Sequence, residues 1–194
     1  MMFLFLCAGL ILALIMGVYV YQMNRPPDLQ DAADLLQTYV GRIVNHDLRG
    51  ARDLMTPETA GLLRDPGTAL GMAVYKNLSL ASVEHALPAE GRNLTVDVVL
   101  NTLDTFAIMT KAGQLFAEQV TENGPAEDPD AAIAEIYDEI LMRDDLPMIP
   151  AFLIVHLTYD DGSLRIVGDT TLQNALEGNS SANLTGISGI FGSE

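Results

Sequence analysis

The longest apolar stretch opens the chain, where residues 1–21 carry no Lys, Arg, Asp or Glu. At a helical rise of about 1.5 Å per residue this run covers roughly 30 Å, the hydrocarbon thickness of a bilayer. No basic residue precedes the run, and no pair of small residues follows Gly17 at the spacing of a signal-peptide cleavage site. We therefore predict an uncleaved transmembrane anchor over residues 1–22 and a proline-containing linker over 23–27. A cleaved signal peptide and a buried core helix are the alternatives.

Helical spacing begins directly after the linker. Ala32, Leu36, Val40 and Ile43 recur at intervals of three and four residues, which predicts a helix from a capping Asp28 to residue 44. Related patterns of caps, prolines and apolar spacing predict five further helices, at 48–55, 57–63, 103–120, 128–141 and 171–176.

Alternating patterns predict strands in two other regions. In residues 94–100, Leu94, Val96, Val98 and Leu100 alternate with Thr95, Asp97 and Val99, as a half-buried strand requires. Residues 78–87 change parity midway, which predicts a bulge in a strand that pairs with 94–100 as a hairpin. Residues 152–159 are apolar on both parities, which favours a central strand covered on both faces. Asp161-Gly162 then predicts a tight turn into a return strand at 164–167.

This order of elements predicts one α+β domain over residues 28–178, with helices packed on an antiparallel sheet. The remaining residues, 179–194, are rich in Gly, Ser and Asn and are expected to form a disordered tail. The only cysteine lies in the first apolar run, so the domain has no disulfide.

Charge narrows the classes of partner. The net charge is −16, and Lys76 and Lys111 are the only lysines. This composition argues against binding nucleic acid or anionic lipid headgroups, which requires clustered Lys and Arg. The ten acids between Glu118 and Asp145 lack the order of a calcium-binding loop and are interpreted as solvated helix surface. We expect no cofactor.

Three histidines are the other candidates for chemistry. His46, His85 and His156 do not share a metal-ligand spacing, so no metal site is predicted. His156 lies on the same strand face as Phe152 and Ile154, and a satisfied core histidine is the simplest interpretation of it.

Two segments carry a family resemblance. Residues 45–58 (NHDLRGARDLMTPE), and residues 159–167 (YDDGSLRIV) with the helix after them, resemble the NTF2-like (cystatin-like α+β cone) ectodomains of uncharacterised bacterial membrane-anchored proteins or lipoproteins. Leu164 stands where those domains often have Trp. The resemblance implies helices on a curved antiparallel sheet of about four strands. It also implies an extracytoplasmic domain, although Arg25 beside the anchor favours the cytoplasmic side.

The resemblance leaves the activity open, because this fold hosts enzymes and binding domains alike. Its enzymes use a carboxylate or histidine inside the cone as general base, and Asp97 and His156 are the residues that would fill this role. Asp97 is out of phase with the apolar residues of its strand, so we expect it to face solvent. We predict a non-catalytic, membrane-anchored, extracytoplasmic domain that binds a protein, peptide or small molecule. The alternatives are a small isomerase or dehydratase and a cytoplasmic membrane-tethered adaptor.

Overall fold

The computed structural model describes residues 27–90 and 93–178, together with Met16. The helices of this part are α1 (Leu29–Val44), α2 (Leu48–Arg52), α3 (Ala69–Lys76), α4 (Thr105–Asn123), α5 (Pro129–Leu141) and α6 (Thr170–Leu176). The strands are β1 (Ser79–Pro88), β2 (Leu94–Leu103), β3 (Met148–Asp160) and β4 (Ser163–Val167). None of the described helices is long and apolar enough to cross a membrane. The predicted anchor and tail, and all of the linker except Pro27, lie outside the described residues, apart from Met16.

The four strands form one antiparallel sheet in the order β1-β2-β3-β4, and the predicted α+β class is confirmed. Both predicted hairpins are present. Asp161 and Gly162 join β3 to β4 with φ values of 46° and 81°, the left-handed pair that a two-residue hairpin turn requires. The bulge predicted in β1 is also confirmed, because its register with β2 shifts between Leu80 and Ser82 and again between Glu84 and Leu87.

The core lies between one face of the sheet and helices α1, α3 and α6, which all contact it. On the sheet, it is lined by alternate residues of the two central strands: Leu94, Val96, Val98, Leu100, Ala151, Leu153, Val155 and Leu157. From α1 it receives the predicted apolar stripe, which is buried throughout. Asp28 caps α1 as predicted, since its carboxylate accepts from the backbone N–H of Gln30 and Asp31.

Three helix predictions need correction. The helix predicted at 57–63 is a series of turns with a short 3₁₀ helix at Ala60–Leu62. Helix α2 ends at Arg52 and not at residue 55. Helix α4 starts two residues later than predicted because Asp104 caps it, accepting from the backbone N–H of Ala107 at 2.9 Å. Helix α3 was not predicted; Gly71 and apolar residues on several sides leave it without a helical period, although Thr68 caps it.

The prediction for β3 was wrong in two respects. The strand begins at Met148 and not at residue 152, so it includes Pro150. It is central in the sheet, but only one of its faces is covered: Phe152 and Ile154 are exposed on the other face. The physical reason is that the three helices that pack on the sheet all lie on the same side of it.

Candidate functional sites on the open sheet face and between the helices

The sheet has one face that no described helix covers, which we call the open face. Its residues are set by the register, since directly paired residues share a face. On β3 they are Met148, Pro150, Phe152, Ile154 and His156. Their partners on β2 include Thr95, Asp97, Val99 and Asn101, and β1 adds Ser82, Glu84 and Leu87.

Large apolar side chains are unusually exposed on this face. Phe152 is 76% exposed, Leu87 63% and Ile154 56%. Isolated apolar residues on a surface are ordinary, but a contiguous group marks an interaction site or an aggregation hazard. Phe152 and Ile154 stand side by side along β3, directly opposite Val99 and Asp97 of β2.

The backbone of β3 is also open along part of its outer edge. Strand β4 pairs only with the segment from His156 to Asp160. The preceding residues, 148–155, pair with β2 on one side, and within the described chain no other backbone hydrogen bond reaches them. An edge of this kind presents unpaired N–H and C=O groups to any chain that can align with it. Charged residues and proline are the usual protection. Residues 148–155 (MIPAFLIV) contain no charged residue, and their one proline, Pro150, lies near the start of the strand.

Both predicted catalytic candidates lie on the open face. The prediction that Asp97 faces solvent is confirmed, and His156 is exposed too, so it is not a core histidine. The register makes Asp97 and His156 diagonal neighbours, about 7–8 Å apart. Neither residue lies in the interior between helices and sheet, where the cone of the resemblance would place a general base. Solvent therefore surrounds both groups, and the apolar pocket that tunes such a base is not built around them.

Each candidate has a polar partner. The Nδ1 atom of His156 lies 3.2 Å from the hydroxyl of Thr95, directly across the strands. Asp97 Oδ2 lies 3.3 Å from Nδ1 of His85, which borders a shallow hollow of about 380 Å³ with Phe152. His85 has a φ of 49° at the second bulge of β1. The parity change in the sequence indicated a bulge, but nothing in it indicated that His85 would meet Asp97.

A second candidate site is a cleft of about 540 Å³ between α3 and α5, which we call the helical cleft. The loop from Asp65 to Thr68 and the first turns of α3 form one wall, and Ala134, Tyr137 and Asp138 of α5 form the other. Met109 of α4 and Glu177, just after α6, complete it. These residues come from four separate parts of the chain, so no single stretch of sequence indicated the cleft.

Tyrosines contribute to the lining of the helical cleft. Burial, followed by the negative charge of Glu177, raises the pKa of Tyr75 to about 12. Burial also raises the pKa of Tyr137. Both phenols are therefore neutral at physiological pH, and the Tyr75 hydroxyl donates to the backbone carbonyl of Arg64 at 2.8 Å.

Neither site is arranged for metal chemistry. Within residues 27–90 and 93–178, no group of three or more His, Cys, Asp or Glu could hold a metal ion. Comparison of the chain with protein-family models, curated proteins and solved structures gives no match. Both sites have the character of binding surfaces. One is an apolar surface beside an open strand edge, and the other is an apolar cleft with carboxylates at its rim.

Proposed function

We propose that this chain is a membrane-anchored, extracytoplasmic, non-catalytic interaction domain, and that the open edge and open face of β3 bind a partner protein. The observation that carries the proposal is the stretch of residues 148–155. It combines a backbone edge that no described strand pairs with, the absence of any charged residue within the stretch, and the exposed side chains of Phe152 and Ile154. Such a surface supports binding better than it supports catalysis, because its titratable groups stand in solvent.

The mode of binding that this geometry favours is addition of a strand. An extended segment of the partner would pair with the free N–H and C=O groups of β3, and its alternate apolar side chains would pack on Phe152 and Ile154. Pro150 has no N–H to contribute, so the pairing is best supported over residues 151–155. Main-chain hydrogen bonds would supply affinity, and the contacts on the open face would supply specificity.

A different protein is favoured over a second copy of the chain. Each copy carries a net charge of −16, and two like-charged copies repel each other at close range. The repulsion is weaker for a neutral or basic partner. The partner we propose is therefore a protein that offers an uncharged extended segment.

The anchor, the compartment and the NTF2-like family are parts of this proposal. The uncharged run at residues 1–21 supports the anchor. The resemblance of residues 45–58 and 159–167 to NTF2-like ectodomains supports the extracytoplasmic side, and the four-stranded antiparallel sheet with helices on one face is compatible with that family. Protease treatment of intact cells tests the compartment. Digestion of residues 28–178 is the expected result, and their protection would indicate a cytoplasmic adaptor.

Photo-crosslinking in cells of the native organism tests the interaction. A photoreactive benzoylphenylalanine replaces Ile154 in the full chain, and the same residue at Met142, which is 84% exposed on the far end of α5, serves as the control. We expect a discrete adduct from position 154 only, which Phe152→Asp in the same chain abolishes. Equal labelling from both positions, or no adduct from 154, would contradict the proposal. An adduct of twice the chain mass would identify a second copy and would contradict the choice of partner.

A further inference from the structure

The helical cleft is large enough and apolar enough to hold a small molecule. Its volume of about 540 Å³ lies within the range of ligand sites, roughly 300–1,000 Å³. Leu70 and Val74 of α3 and Met109 of α4 supply apolar surface. The cleft lies among the helices, away from the open face of the sheet, so a ligand here would leave β3 free.

The charges around the cleft are of one sign. Among residues 27–90 and 93–178, Asp65, Asp138 and Glu177 line it, and no Lys, Arg or His does. Asp65 is balanced from outside by Arg52, whose Nη2 lies 3.4 Å away. In the described part of the chain, Asp138 and Glu177 have no basic group within salt-bridge distance. Glu177 Oε1 accepts a hydrogen bond from the side-chain amide of Gln173 at 2.9 Å, and because that amide is neutral the charge of Glu177 is not balanced. Within the described residues the site therefore presents two carboxylates without a basic partner beside apolar surface, which favours a cation and disfavours an anion.

The tyrosines add to this preference. Tyr137 is half-buried next to Asp138, and its aromatic ring can attract a cation through the negative face of the ring. The Tyr75 hydroxyl already donates to the carbonyl of Arg64, so Tyr75 can offer its oxygen lone pairs and ring to a ligand but no second proton. Acceptors, aromatic rings and carboxylates are the groups that recognise an ammonium ion.

We propose that the helical cleft binds a small organic cation, a protonated amine attached to an apolar ring or chain. The apolar part packs against Leu70, Val74 and Met109, and the ammonium lies between Asp138 and Glu177. A neutral molecule of the same shape gains the apolar contacts only. An anion of the same shape is repelled by both carboxylates.

Fluorescence anisotropy with tryptamine tests this directly. The chain contains no tryptophan, so indole emission excited at the red edge of its absorption reports the probe alone. The full chain is placed in vesicles of zwitterionic lipid, and empty vesicles provide the lipid background. Two probes with the same ring serve for comparison: the neutral alcohol tryptophol and the anion indole-3-propionate.

We expect a saturable rise in anisotropy with tryptamine. Tryptophol should bind at least about tenfold more weakly, because it lacks the charge-assisted contact. Indole-3-propionate should not bind. The double substitution Asp138→Asn and Glu177→Gln should weaken the binding of tryptamine by about tenfold or more. Glu135→Gln, on the same helix but outside the cleft, should leave it unchanged. Ala134→Phe, which fills the cleft, should abolish binding.

Two results would overturn the inference. Equal affinity for tryptamine and tryptophol would show that the carboxylates do not favour an ammonium group over a neutral hydroxyl. Equal loss in the Glu135→Gln control would show that only the general acidity of the chain attracts the probe. The circular dichroism of each variant confirms that it is folded. Because the variants leave β3 unaltered, photo-crosslinking from position 154 reports separately on the proposed protein partner.

Discussion

Phe152 and Leu153 are neighbours on β3, and the structure predicts that truncating them changes stability by very different amounts. Phe152 is 76% exposed, whereas Leu153 is 7% exposed. Complete burial of a side chain of this size is worth about 1.5–3 kcal/mol. Phe152 realises only about a quarter of that, so Phe152→Thr should change the free energy of unfolding by less than about 1 kcal/mol. Leu153→Ala should cost about 2–5 kcal/mol, since it removes apolar contacts and leaves a cavity.

Urea unfolding of the full chain in detergent, followed by circular dichroism, measures both values under the same conditions. The contrast is sensitive to register, because a slip of one residue in β3 would exchange the two faces of the strand. A loss of 2 kcal/mol or more (about the lower limit for a buried leucine) in Phe152→Thr, together with a small loss in Leu153→Ala, would refute the assignment of the open face. The loss of the adduct in Phe152→Asp would then no longer report on binding alone.

Three further predictions concern the framework that supports the two sites. Asp169→Ala should destabilise the chain by about 1 kcal/mol, because Asp169 Oδ1 accepts from the backbone N–H of Leu172 in the first turn of α6 at 2.7 Å; the urea midpoint measures this. Gly178→Ala should cost about 1–3 kcal/mol, because its φ is 63° and a Cβ would lie 2.7 Å from Cγ2 of Thr105; thermal unfolding measures this. Stability should also fall as pH rises from about 10, the ordinary tyrosine value, to about 12, the raised pKa of Tyr75; urea unfolding across that interval should show a smaller fall for Tyr75→Phe.

Each of these has a matched control. Thr171 is exposed on α6, so Thr171→Ala should leave the free energy of unfolding nearly unchanged. A loss of stability equal to that of Asp169→Ala would contradict the capping role of Asp169. Gly162→Ala has a similar positive φ but open space around it, so it should cost less than Gly178→Ala. The pH prediction follows because the folded chain holds the Tyr75 proton more tightly than the unfolded chain does, and stability is lost where only the unfolded chain has released it. If the free energy of unfolding fell with pH equally steeply in the unsubstituted chain and in Tyr75→Phe, this prediction would be contradicted.

The parts of the fold that the sequence predicted are those with a clear period or a specific turn. The α1 stripe has helical spacing, β2 alternates, and Asp161-Gly162 can adopt the positive φ of a tight hairpin. Helix α3 could not be predicted in this way, because Gly71 interrupts a short segment with apolar residues on several sides. Packing of α3 against α1 and β2 decides its conformation.

The sites were harder to predict than the fold. Apolar residues on both parities of β3 were interpreted as burial on both faces, but a covered face and an exposed binding face produce the same pattern. The period of β2 placed Asp97 correctly in solvent, because one face of β2 is polar. The helical cleft depends on the relative placement of Gly67, Met109, Tyr137 and Glu177, which lie far apart in the chain and share no motif.

Residues 148–155 form a strand edge that no other part of the described chain covers. Residue-resolved amide hydrogen exchange on the purified full chain measures whether this edge is open. Alternate amides within 151–155 should exchange rapidly, because their N–H groups point away from β2 and have no partner. The amides of residues 96–100, which lie between two strands, should exchange slowly. Uniformly slow exchange across 151–155 in the purified chain would mean that another part of the chain covers this edge, and it would contradict the proposed interaction surface.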